Sequence, residues 1–298
     1  MSLVARIDRI LQFDKAMVAP VTPFKTDGTV DHSMIAPYAC YLSRIGVGGV
    51  FVHGTTGEGL SLTSEEKKKL TKTWLEEIRS KYTDWLCVFN VSATCVTETI
   101  EQANYYEELG VDAIAVLPPL YYRPLNDEQL LKYLKSVANA APSTPLIYYH
   151  TPIKTNVNFR LKEFAARAKE ELPQLIGMKY ASFDMLELVR FCTIRDPRSL
   201  KIFAASEQSL MPMMALGVES AICSLFNFEI VVKGFTEMQK NFPHNMDEVL
   251  RIQKELVAFG EEMRRGSVIH NIKRELNRLK PSNYPSFKVG DARMPIME

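Results

Sequence analysis

The chain has 298 residues, 46% of them hydrophobic and 24% charged, the profile of a soluble globular protein able to bury a sizeable core as one large domain or two small ones. Lys plus Arg of 36 against Asp plus Glu of 35 gives a formal charge of +1, so no basic face is advertised for nucleic acid or an anionic membrane. Five cysteines without a CxxC pair and five dispersed histidines without HExxH spacing argue for reduced thiols rather than a disulfide framework or zinc site, and no metal is expected.

The N-terminal stretch MSLVARIDRILQFDK has charges scattered through it and no signal-peptide core. No apolar run approaches the ~18 to 20 residues of a membrane-spanning helix. A cytoplasmic protein is the expectation. From about residue 16 to 226 one rhythm repeats: a short apolar or β-branched run, a polar loop, then a stretch of helical periodicity. Strands are expected over 17–21, 49–52, 86–91, 113–117, 146–149, 175–179, 201–204 and 220–224. Helices are expected over 33–45, 64–80, 96–109, 127–140, 161–170, 183–194 and 207–216; Thr63 and Glu66 spell a capping box, and Gly110 stands where a helix C-terminus favours glycine.

Strands alternating with helices imply parallel pairing through right-handed crossovers, and eight such units predict an α/β fold, a (β/α)8 TIM barrel. A doubly wound open sheet is the alternative, but the first βα turn, PVTPFKTDG, carries no GxGxxG fingerprint. Beyond residue 228 the pattern is helical over 229–240, 246–262 and 267–280. This predicts a barrel over 1–228 and a C-terminal helical extension over 229–298, ending in an extended or loosely ordered Pro- and Ser-rich tail.

Barrel enzymes place their working groups at the C-terminal ends of strands and in the loops that follow. Read only there, the sequence offers HGTTGEG (53–59), PPLYYRP (118–124), YYHTP (148–152), Lys179, AASEQ (204–208) and CSLFN (223–227). A lysine closing a buried strand is salt-bridged, snorkelling or chemically used, and position alone favours the first two. In its neutral form such an amine attacks a ketone to give an imine, whose protonated form draws electrons from the neighbouring carbon and lets C–C bonds break or form without metal or cofactor. Tyr149 ends the preceding strand, where its hydroxyl is placed to carry a proton near Lys179. Free phenols titrate near ~10, so this role needs a relay or the substrate's own carboxylate. A core tyrosine with a satisfied hydroxyl has the same pattern. GTTGEG surrounds two hydroxyls with glycines, a combination suited to aiming N–H and O–H groups at a carboxylate; its plain alternative is a tight turn before a capped helix.

Taken together, GTTGEGLSLTSEE, YYHTP and GMKYAS, at these separations, resemble the N-acetylneuraminate lyase and dihydrodipicolinate synthase superfamily of class I aldolases, from about Ala16 to the last helix. FVHGTTGEGLSLT and IYYHTP are most similar to its animal-type lyases. The resemblance implies that Lys179 is the Schiff-base lysine, Tyr149 the acid/base tyrosine, and Thr55 and Thr56 the ligands of a pyruvate or pyruvoyl carboxylate, with Thr55 also relaying protons. It implies no cofactor beyond the covalent imine on Lys179, and a small 2-keto acid as substrate. It also implies a homo-oligomer, usually a dimer of dimers, in which Tyr121 reaches into a neighbouring subunit's site. The reaction implied is reversible cleavage of N-acetylneuraminate to N-acetylmannosamine and pyruvate.

The positions facing the rest of the substrate depart from the lyase pattern. Lyases usually offer a glycine carbonyl and an Asp-Glu pair after strand seven; here the stretch is Ala204, Ala205, Ser206, Glu207, so the aspartate has lost its charge and reach. Ser224 matches the family's serine, whereas Ala181 stands where Thr or Ser is common, with Ser182 beside it. Synthases carry a carboxylate-gripping arginine after strand five; Lys154 stands there without the planar fork, and reads equally as a solvated loop residue. These departures keep open a related pyruvate-dependent aldolase or synthase acting on 2-keto-3-deoxy sugar acids or making dihydrodipicolinate. From another class, a non-catalytic barrel that binds a keto acid also stays open.

Overall fold

The structure, a computed structural model, describes residues 1–192, 200–280 and 283–296. Eight short strands form its centre: β1 (Ala16–Val18), β2 (Gly49–Val52), β3 (Leu86–Asn90), β4 (Ala113–Val116), β5 (Leu146–His150), β6 (Leu175–Tyr180), β7 (Lys201–Ala204) and β8 (Ser220–Cys223). Each pairs in parallel with the next, and β8 returns to β1 through Ala16↔Ala221, Met17↔Ile222 and Val18↔Cys223. The sheet is therefore closed, which removes its edges and sets aside the doubly wound alternative.

Helices cover the outside of this barrel, so the strands are buried on both faces and read as nearly continuous apolar runs. In chain order they are α1 (Leu3–Leu11), α2 (Ile35–Arg44), α3 (Ser64–Lys81), α4 (Val96–Leu109), α5 (Asp127–Ala140), α6 (Pro152–Thr155), α7 (Leu161–Glu171), α8 (Met185–Cys192), α9 (Leu210–Ala215), α10 (Glu229–Asn241), α11 (Met246–Met263) and α12 (Val268–Arg278). The capping box at Thr63 and Glu66 forms as expected, satisfying two N–H groups at the start of α3. The expected helix over 183–194 is α8, and Thr193 and Ile194 lie outside the described residues. The first strand stops at Val18, short of the expected Val21, because Pro20 has no N–H for the ladder.

Met17, Phe51, Val88, Ala115, Ile147, Tyr149, Phe203 and Ile222 fill the barrel, while Val18, Val50, Val52, Phe89, Tyr148, Met178 and Cys223 pack beneath the helices. Helix α1, which the sequence reading did not assign, closes the N-terminal mouth. Ile10 and Phe13 join the interior cluster; Arg9 pairs with Asp112 at 2.7 Å, and Arg6 donates to Thr144 at 3.0 Å. The apolar stripe Leu3, Ile7, Ile10 was present in the sequence but interrupted by charges, one of which, Arg6, is itself buried beside Ile10.

At the C-terminus α10 packs on β1 as the helix of the eighth unit, and α11 and α12 are additional. The tail is extended but not loose: Phe287 and Val289 are buried, and Phe24 donates its N–H to the Val289 carbonyl at 3.1 Å. Among the described residues, no helix is long and apolar enough to cross a membrane.

Candidate active site

The C-terminal mouth of the barrel brings four of the expected residues onto two neighbouring strands and one turn. Tyr149 and Lys179 are register partners on β5 and β6, and a bulge after Leu146 puts Lys179 in phase with Tyr149, inside the barrel. Lys179 is 4% exposed, and its Nζ lies 4.0 Å from the ring centroid of Phe51 and 4.3 Å from that of Tyr149. Among the described residues no carboxylate forms a salt bridge with it, so the amine is neither snorkelling nor ion-paired. Phe51 meets Tyr149 edge-on with centroids 5.4 Å apart, which holds both rings as a wall beside the amine. Sequence reasoning did not single out Phe51; its inward phase on β2 was the available signal.

The turn after β2 supplies the hydroxyls. Thr55 Oγ1 lies 3.1 Å from the Tyr149 hydroxyl, and Thr56 is buried in the same turn. The turn is tightly wound: His53 has φ 61° and Glu58 φ 53°, the Glu58 N–H donates to the Thr55 carbonyl at 3.1 Å, and the Gly59 N–H donates to that of Gly54 at 3.1 Å. A Cβ at Gly59 would stand 1.9 Å from the His53 carbonyl oxygen, so only glycine allows this closure. Asn90 on β3 donates to the His53 carbonyl at 2.9 Å, and Thr22 donates to that of Gly57 at 2.6 Å. The turn is thus anchored from β3 and from the loop after β1.

The remaining expected residues are placed less directly. Ala181 packs against the interior cluster above Lys179, with no hydroxyl to offer. Ser182, beside it, accepts the Asp184 N–H with its Oγ at 3.2 Å at the entry to α8. Ser206 caps the turn before α9, its Oγ accepting the Gln208 N–H at 3.3 Å. Glu207, expected to orient substrate hydroxyls, is fully buried and held by both terminal nitrogens of Arg264, one of them at 3.0 Å. A Cβ at Gly260 of α11 would stand 2.1 Å from the carboxylate, so that helix is shaped to admit it. Ser224 opens the turn after β8, its carbonyl accepting from Asn227 at 2.6 Å. Tyr121 stands apart, 85% exposed and packed edge-on against Tyr122.

Beside Thr55 a cavity of about 490 Å³ opens between the β2 turn, Lys154 and Thr155, and the start of α12 at Ser267. Lys154 lines it and is exposed. Among the described residues, no three His, Cys, Asp or Glu side chains come together as candidate metal ligands.

Two histidines flank this mouth on the helix side of the strands. Burial pushes His53 down to about 3, with Lys67 adding to the effect, and His150 down to about 4. Both titrate below the ~6.5 of an unfolded chain, so the unfolded state binds more protons between those values, and stability present above pH ~6.5 is lost as pH falls. Between pH ~6.5 and ~5, before most carboxylates protonate, each histidine removes up to ~2 kcal/mol. Urea midpoints measured at pH 7.5 and pH 5 are expected to be clearly lower at pH 5; equal midpoints would show that these rings are not buried in the neutral form.

A closed parallel barrel with a buried lysine that has no salt-bridge partner among the described residues, and a tyrosine hydroxyl at its C-terminal mouth, has the layout of a class I aldolase. Residues 12–289 match the Dihydrodipicolinate synthetase family. A chicken (Gallus gallus) protein named N-acetylneuraminate lyase is 33% identical over 213 residues, 71% of this chain and 68% of the relative. The pig (Sus scrofa) protein of the same name is 32% identical, over 71% of this chain and 66% of its own length. Among solved structures, Proteus mirabilis N-acetylneuraminate lyase superposes with a TM-score of 0.86 at 26% identity, covering 96% of this chain and 92% of that one. The chain belongs to the dihydrodipicolinate synthetase family, whose members are carbon–carbon lyases of the class I aldolase type.

Proposed function

We propose that the chain is a Schiff-base aldolase that reversibly cleaves N-acetylneuraminate to N-acetylmannosamine and pyruvate. The observation that carries this reading is the Lys179 amine, buried without an ionic partner among the described residues on the strand adjoining Tyr149, whose hydroxyl meets Thr55. The relatives bearing the lyase name support the substrate. In this mechanism the neutral Lys179 amine adds to the C2 ketone, and loss of water gives the iminium. Thr55 and Thr56 hold the adjoining carboxylate. Tyr149, deprotonated through Thr55 and that carboxylate, takes the C4 hydroxyl proton as the C3–C4 bond breaks; the bonding electrons pass to the iminium, and the aldehyde leaves. Protonation of the enamine at C3 and addition of water release pyruvate and restore the amine. Tyr121, exposed on a surface with Tyr122 and Leu125, is assigned to contact between copies of the chain in a dimer of dimers.

A second reading, a pyruvate-dependent aldolase or synthase for another aldehyde, is favoured by Lys154 at the cavity beside Thr55, by the missing hydroxyl at Ala181, and by the Glu207 carboxylate being taken up by Arg264. Turnover of N-acetylneuraminate, a 2-keto-3-deoxy sugar acid, and pyruvate with aspartate semialdehyde should be compared side by side. The first is expected to give the highest kcat/KM. A preference of 10-fold or more, about 1.4 kcal/mol in the barrier, for either of the others would assign the substrate differently.

A further inference from the structure

The turn that carries Thr55 and Thr56 also sends one side chain away from the barrel mouth. Glu58 is fully buried, and one carboxylate oxygen lies 2.8 Å from Nζ of Lys273 on α12, while the other accepts the backbone N–H of Arg293 in the tail at 2.7 Å. Lys273 also donates to the Asp291 carbonyl at 2.9 Å and lies 4.1 Å from the centroid of Phe24. The Arg293 guanidinium sits 4.4 Å from the same ring and donates to the carbonyls of Gly28 at 2.7 Å and Ser61 at 2.8 Å, and to Glu66. Asn277 of α12 secures the tail, accepting the Val289 N–H at 2.8 Å and donating to the Gly290 carbonyl at 3.0 Å. The loop after β1, the turn after β2 and the C-terminal segment therefore meet at one carboxylate.

A buried ion pair is a poor source of stability, since an apolar pair of similar volume would avoid the desolvation of two charges. What it does supply is a fixed position. Glu58 is three residues from Thr55 and donates its own N–H to the Thr55 carbonyl, so fixing its carboxylate fixes the turn whose hydroxyls face the reaction. The side chains of Glu58, Lys273 and Arg293 hydrogen-bond and ion-pair with one another, with the tail and with the loops rather than with Lys179 or Tyr149.

We propose that Glu58, Lys273 and Arg293 are positioning residues: the C-terminal helix and tail hold the Thr55 and Thr56 turn in the shape that receives the carboxylate of the 2-keto acid. The inference rests on the Schiff-base reading above. Its consequence is selective. Loosening the clamp weakens recognition of the carboxylate and leaves the reactivity of the Lys179 amine toward a ketone lacking one.

The test compares borohydride trapping of the full-length protein with pyruvate and with acetone, which forms the same imine without a carboxylate. Pyruvate should label Lys179 in the unmodified chain; if it does not, the Schiff-base reading fails before the clamp is tested. The Glu58→Leu/Lys273→Met double variant replaces the ion pair with apolar side chains and keeps no buried charge unpaired. Its second-order trapping constant for pyruvate is expected to fall about 10-fold, with that for acetone unchanged. Arg293→Ala, which leaves the ion pair in place, is expected to fall about 3-fold in the same selective way and carries the test if the double variant does not fold. Pyruvate trapping at the unmodified rate in folded variants, or equal losses for pyruvate and acetone, would overturn the proposal.

Discussion

Replacing Lys179 with methionine is expected to lower turnover by at least ~10³-fold while leaving the barrel folded. The two halves of this expectation have the same physical origin. The amine has no ion-pair partner among the described residues, so its removal strands no buried carboxylate. Methionine is unbranched and polarizable, and it fits the space between the rings of Phe51 and Tyr149. The thermal midpoint should therefore stay level or rise, since burying a polar amine without a partner opposes folding. In the proposed mechanism catalysis has no such substitute: without the nitrogen no imine can form to receive the electrons of the breaking C–C bond. Lys179→Arg separates charge from nucleophilicity, because a guanidinium keeps the cation and stays protonated, and it should be as inactive as the methionine variant. The measurements are kcat, mass of the protein after pyruvate and borohydride, and a melting curve. A methionine variant that keeps more than ~1% of turnover would remove the lysine from the mechanism.

Much of this site was legible in the sequence because strand ends are where a parallel barrel gathers its chemistry, and short apolar runs locate strand ends well. Lys179, Tyr149 and Thr55 were found that way. The pointing of Lys179 was not: alternation counted from the inward-facing Ile176 would turn a residue three positions later outward. The bulge between the Leu146↔Leu175 and Ile147↔Gly177 pairs absorbs the extra residue and turns the lysine inward. A bulge leaves no clear mark in a run such as LIGMK.

Glu207 illustrates a different loss. Its place after β7 was predicted, but its partner comes from Arg264, at the end of a helix 57 residues later, and sequence order says nothing about which carboxylate that arginine reaches. The tail was legible only as extended or loosely ordered; that it is the former and pinned follows from contacts of Phe287, Val289 and Arg293 with Asn277 and with Phe24, Gly28 and Glu66, the last three distant in the chain. Local pattern specifies an element; burial by distant partners decides whether an end is pinned.

The Tyr149→Phe variant is expected to lose ~10²- to 10⁴-fold in kcat with little change in KM, the range for removing a positioned acid/base group. The change deletes one oxygen from a packed ring. The edge-on contact with Phe51 at 5.4 Å and the seat of the Lys179 amine over the ring do not depend on it, so binding and fold should persist. Thr55→Val removes the other end of the 3.1 Å contact, and by itself should cost less, because the substrate carboxylate offers the phenol another route for its proton. The informative quantity is the double variant. Once the phenol is gone the threonine has no proton to relay, so adding Thr55→Val to Tyr149→Phe should lower kcat by much less than Thr55→Val does alone. Its effect on KM should remain undiminished, because holding the carboxylate does not require the tyrosine. Independent losses in kcat would mean that the contact between the two hydroxyls transmits no proton, and the acid/base role would then rest with Tyr149 and the substrate's own carboxylate.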